Sequence, residues 1–194
     1  MPIQSIKSGT LSRSTAVGNA IILPGDFESI ATATGTGSSG VITFSSIPST
    51  YQHLQIRAII RNTSTSTASN MQFNSDTGSN YTRHEIQGTG SAVGASGAIT
   101  QTSMLAFRPA VSTATADCMG VTIIDIHDYA STSKYKTVRS FFGADTNAGT
   151  TTDRIFLTSG LWLSTSAINT ITFSLAASNN FTTSTTFALY GIRG

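Results

Sequence analysis

The sequence predicts an all-β protein: an antiparallel β-sandwich of jelly-roll type carrying an extended N-terminal arm. Three observations lead there. Short runs of alternating apolar and polar residues recur along the chain, roughly ten of them, parted by clusters of Gly, Ser, Asn and Asp. Apolar residues rarely recur at three-four spacing, and no capping box precedes a helical run, so no helix is expected. Serine and threonine number roughly 60 of the 194 residues, threonine favouring strands and serine turns. No fixed-period repeat is visible, which disfavours a propeller or solenoid.

Residues 1–26 read as an arm. Ile3, Ile6, Leu11, Val17, Ile21 and Ile22 are spread among Ser, Thr and Gly without long alternation, and Pro24-Gly25-Asp26 closes the segment. A first strand of the same sandwich is the alternative. An apolar arm that cannot cover itself is expected to lie on a neighbouring subunit, which makes these six residues candidate partner contacts. The sandwich domain then spans residues 27–194.

Within it, Phe27 to Thr34 alternates weakly, and GTGSSG at 35–40 is a flexible connection. Val41 to Arg61 gives the plainest pair of strands. Ile42 and Phe44 point one way; after a turn holding Pro48, Leu54, Ile56, Ala58 and Ile60 alternate with His53, Gln55, Arg57, Ile59 and Arg61. Met71 to Asn74 and Tyr81 to Gln87 are short strands around the turn at 76–80. Gly88 to Gly97 holds four glycines and reads as loop; Ala98 to Phe107 returns to strand, stopped by Pro109. Met119 to His127 is the most apolar strand, with Thr122, Ile124 and Ile126 on one face, and Tyr135 to Phe142 pairs back as a hairpin. Ile155 to Leu157 and Leu161 to Leu163 read as two strands flanking Ser159-Gly160. Ile168 to Leu175 and Thr185 to Arg193 are the last two.

Only 10% of the residues are charged, against roughly 25% in an average soluble domain. Such a surface is easily buried against a partner, because few ions must be desolvated. Eleven cations scattered against nine anions make no phosphate-tracking patch, so no nucleic-acid partner is expected. No apolar run approaches the ~20 residues that span a bilayer, and residues 1–14 show no apolar segment with a cleavage signal. The expectation is synthesis in the cytosol and no membrane partner. Cys118 is the single cysteine, so no internal disulfide forms.

The candidate chemistry is thin. Asp76-Thr77-Gly78 matches the triplet of aspartic proteases, which need two carboxylates sharing a proton. Asn74-Ser75 precede it where an apolar strand should, and an Asx-type turn explains it equally. Asp125, His127 and Asp128 cluster, with His53 and His84 elsewhere; a metal or acid-base site needs several to converge. The alternative is a polar strand end opening a turn. Cys118 has no adjacent cation and reads as inert. No Gly-x-Ser-x-Gly elbow occurs. The reading is therefore a non-enzyme without cofactor or metal. Trp162 and Tyr129 are candidate glycan contacts, with sandwich core as the alternative for Trp162. Arg57, Arg61, Arg83 and Arg139 fall on outward faces and are candidate contacts to a larger protein assembly, against a solvated sheet face.

Several segments together carry a resemblance. FESIAT (27–32), ITFSSIPSTYQHLQIR (42–57), NSDTGSNYTRH (74–84), DYASTSKYKTVRS (128–140), GLWLSTSAINTITF (160–173) and FALYGIRG (187–194) resemble small virion proteins of tailed bacteriophages. The resemblance implies a non-enzymatic structural role in the virion. The expected function is capsid decoration or cement, bridging capsid subunits as a homo-oligomer, a trimer being favoured, with the major capsid protein or other virion proteins as partners. The alternative is a tail or fibre component that binds a host surface glycan.

Overall fold

In the computed structural model, which describes residues 15–17, 20–22, 26–65, 69–146, 153–176 and 179–194, every regular element is a β-strand. Strands β1 (Thr15–Val17) and β2 (Ala20–Ile22) pair antiparallel in a sheet of their own. Ile3, Ile6 and Leu11 lie outside the described residues, as do the side chains of Val17, Ile21 and Ile22.

The remaining strands are β3 (Phe27–Thr34), β4 (Val41–Phe44), β5 (His53–Ile60), β6 (Ser69–Phe73), β7 (Tyr81–Gly88), β8 (Val93–Gln101), β9 (Gly120–Ile126), β10 (Lys136–Ala144), β11 (Arg154–Trp162), β12 (Ile171–Leu175) and β13 (Thr186–Ile192). They form two antiparallel sheets. The larger has eight strands in the order β3-β13-β5-β9-β10-β11-β7-β8, the smaller three in the order β4-β12-β6. The period-two pattern decides which side faces in. On β5, Leu54, Ile56, Ala58 and Ile60 are buried; on β9, Thr122, Ile124 and Ile126; on β12, Ile171, Phe173 and Leu175.

The core lies between the sheets. Phe173 of the small sheet stacks on Phe187 of the large one, ring centroids 4.8 Å apart, and meets Phe44 and Phe107 edge-on at 6.4 and 5.9 Å. The segment after β8 fills the gap that three strands leave under eight. Met104 exchanges backbone bonds with Met71 (2.7 and 2.9 Å), and Met104, Ala106 and Phe107 are buried.

Three readings of the sequence are corrected. Gly88 to Gly97 is not a loop: β7 runs through Gly88, a turn centred on Gly90 (φ +83°) reverses the chain, and β8 starts at Val93. The glycines within β8 make room for neighbours, since a Cβ at Gly97 would sit 2.8 Å from the His84 ring. The strand expected over 98–107 ends at Gln101, just after Thr100 adopts φ +55°, and 102–107 becomes the plug around Met104. The two strands expected around Ser159-Gly160 are one, Arg154–Trp162. Gly160 faces inward beneath Met104, whose Sδ would lie 2.2 Å from any Cβ there.

Two cations anchor connections through backbone carbonyls. Lys136 is fully buried and donates to the carbonyls of Lys134, Thr165 and Ser164 at 2.8, 3.1 and 3.5 Å. Arg61 donates to Cys118 (2.7 Å), Thr115 (2.9 Å), Ala114 (3.0 Å) and Ser112 (3.4 Å). It is thus the knot of the 112–118 loop. Arg61→Ala is expected to cost about 1.5–3 kcal/mol in urea unfolding, the range for hydrogen bonds to a charged group, with faster amide exchange confined to 112–118.

Candidate interaction surface

The polar residues singled out in the sequence serve the fold. Asp76 accepts from the Trp162 indole N–H (2.7 Å), the Gly78 N–H (2.8 Å) and the Asn80 amide (3.0 Å). The indole bond, chiefly, holds the Asp76 carboxyl below the usual aspartate range. Behind it, the Tyr81 hydroxyl donates to the Asp76 carbonyl (3.1 Å) and accepts from the Phe73 N–H (3.0 Å). Burial pushes its pKa up to about 12. The triplet is the hub of a corner.

His53 and His127 meet edge to face at 5.0 Å, and His53 Nδ1 accepts the Asp128 N–H at 3.0 Å. The Asp128 carboxylate takes Lys134 (2.7 Å), which chiefly lowers its pKa, while Asp125 accepts from Gln55 (2.8 Å). Among the described residues, no three His, Cys, Asp or Glu side chains gather where an ion could sit. Cys118 lies 3.5 Å from the Thr146 carbonyl.

Trp162 and Tyr129 are corrected as glycan contacts. Trp162 is 2% exposed, stacked near Phe73 and Tyr81. Tyr129 is wholly buried, its hydroxyl donating to the Pro48 carbonyl and thereby fixing the β4–β5 connection. Neither offers a ring face to a sugar, because each is spent on the core. The four arginines divide. Arg57 and Arg139 are exposed. Arg61 is turned to its carbonyls, and Arg83 lies 2.7 Å from the buried Glu85.

No protein-family model matches this chain, and no curated protein and no solved structure matches it either. The surface itself has to carry the functional argument.

Its dominant feature is the outer face of the eight-stranded sheet. Strand register sets Ile123 opposite Phe141, Phe141 opposite Leu157, and Leu157 opposite Ile86, an unbroken apolar row across β9, β10, β11 and β7. A second row beside it runs from Ile59 through Val121, Gly143 and Ile155 to Gly88. All the non-glycine members stand 41–57% exposed. At one end of the first row Arg57 lies over the rings of Phe27 and Tyr190, which stack at 4.6 Å. A third row of Gln55, Asp125, Arg139, Ser159 and His84 borders the apolar pair with hydrogen-bonding groups. The face is not flat throughout. Gly143 and Gly88 floor a hollow of about 510 Å³, and a Cβ placed on either glycine meets nothing within 4 Å.

Sequence reasoning missed this surface, though a signal was present. Ala58-Ile59-Ile60, Ile123-Ile124, Phe141-Phe142 and Ile155-Phe156-Leu157 place apolar residues on consecutive positions, and in a strand that means both faces. A sheet covered on one side only should not read so.

Proposed function

We propose that this chain is a non-enzymatic structural protein of a tailed-phage virion, a capsid decoration or cement protein that joins capsid subunits. One observation carries the reading: an oily, rimmed sheet face on a protein with few charges. Exposed apolar patches beyond a few hundred Å² mark surfaces that are covered in use. The resemblance of the six segments to virion proteins supplies the setting, with the major capsid protein as the partner class and the virion as the location.

The jelly-roll topology belongs to the same proposal. The run β3-β13-β5-β9 interleaves the first and last strands of the domain, and β4-β12-β6 repeats the interleaving one step in. The Met71–Met104 bridge adds a fourth position at the β6 edge. Two interlocked Greek keys have this order, and β7, β8, β10 and β11 extend it. The tail or fibre reading loses its aromatic platform with the burial of Trp162 and Tyr129.

Counting copies tests the proposal. Purified particles analysed by quantitative mass spectrometry and imaging are expected to carry hundreds of copies distributed over the head. A handful at the tail tip, or none in particles, would sink it.

A further inference from the structure

We infer that the outer face of the eight-stranded sheet pairs with the same face of a second copy of this chain, across a two-fold axis. The inference rests on the association reading above and gives this face to a second copy of the chain, leaving capsid contacts to the rest of the dimer's surface.

Area is the first argument. Seven half-exposed side chains, from Ile59 to Ile86, leave on the order of 600 Å² of largely apolar surface, most of the ~800 Å² each partner gives a standard interface. Shape is the second. Two sheets of the same twist pack face to face about 10 Å apart with strands about 30° off parallel, and a sheet's best-matched partner in twist is its own copy.

The third argument is self-complementarity. Phe141 projects from β10 as a knob, 54% exposed. Gly143, two residues along the same strand, floors the open hollow. A two-fold axis passing between these positions sets each copy's Phe141 over the other's Gly143. Knob and hole are then satisfied twice by one contact, which an isologous interface requires. A three-fold ring would instead join two different patches, and this single patch contains both halves of its own match. The inference therefore favours a dimer over the trimer expected from the sequence.

The test is sedimentation velocity of the full chain at micromolar concentrations, with circular dichroism to check folding. The wild type is expected to be a dimer. Phe141→Ser removes the knob and is expected to weaken association by roughly 30-fold or more. Gly143→Leu is the sharper variant. It adds apolar area in open space, so the fold tolerates it. If the face were merely sticky, this change would strengthen association; if the hollow receives a partner's ring, the change weakens it by a similar factor. A monomeric or trimeric wild type would overturn the inference. So would a dimer unchanged by Phe141→Ser, or one tightened by Gly143→Leu. These outcomes separate from the virion reading. A monomer found in hundreds of copies on heads would overturn the pairing alone, and a dimer absent from particles would overturn the virion role alone.

Discussion

Phe173→Ala should lower the unfolding free energy by about 4 kcal/mol and the Tm by roughly 10 °C, the largest loss expected of any single truncation here. Phe173 is completely buried, and its ring is the piece both sheets share. It stacks on Phe187 of the large sheet, meets Phe44 within the small one, and touches Phe107 of the intervening plug. Truncation removes the transfer energy of the ring and leaves a cavity walled by three other aromatics. Those walls cannot collapse into it together, because each is fixed by its own strand or by the Met104 segment. Urea unfolding at neutral pH measures the loss. A cost under about 1 kcal/mol would mean that the sheets do not share this cluster.

The second large effect is expected at Asp76. Asp76→Ala leaves the indole N–H of the nearly buried Trp162 without its charged acceptor and frees the 76–80 turn, at a cost of about 2–3 kcal/mol. The effect depends on pH with a defined sign. The folded carboxyl titrates below the ordinary value of 3.8. Its contribution is therefore complete well above pH 3.8, declines as the pH falls through that value, and is gone below the folded pKa. Thermal melts from neutral to strongly acid pH should show the wild type converging on Asp76→Ala. A stability gap that persists at the acid end would show that packing, not the ionised hydrogen bonds, makes the difference.

Much of the architecture was legible because strand signals are local. Alternation in His53–Ile60 and Met119–His127 gave both the strands and their inward faces. What failed was decided by partners distant in sequence. Gly94 and Gly97 read as loop by composition, yet they are strand glycines lying against Gln87 and His84 across the hairpin. Gly160 looked like a break; its missing side chain is the space Met104 uses. The surface was legible in part. Alternation puts Arg57 and Arg139 on the outward face, and both are exposed. Arg61 followed the same alternation but curls back onto carbonyls from residues 112–118, a contact no strand pattern encodes. The apolar rows were hidden for a related reason. Ile59 and Val121 become one surface only when register lines up β5 and β9, strands that are not neighbours in sequence.

Arg61 and Lys136 give their hydrogen bonds to peptide oxygens rather than to carboxylates. An ion pair dissolves when its carboxylate takes up a proton; a cation cradled by amide dipoles has no such weakness. Acidification should therefore dismantle this molecule unevenly. The corner around Asp76 loosens once its carboxyl is neutralised, while the carbonyl tethers at 112–118 and 164–165 stay fastened.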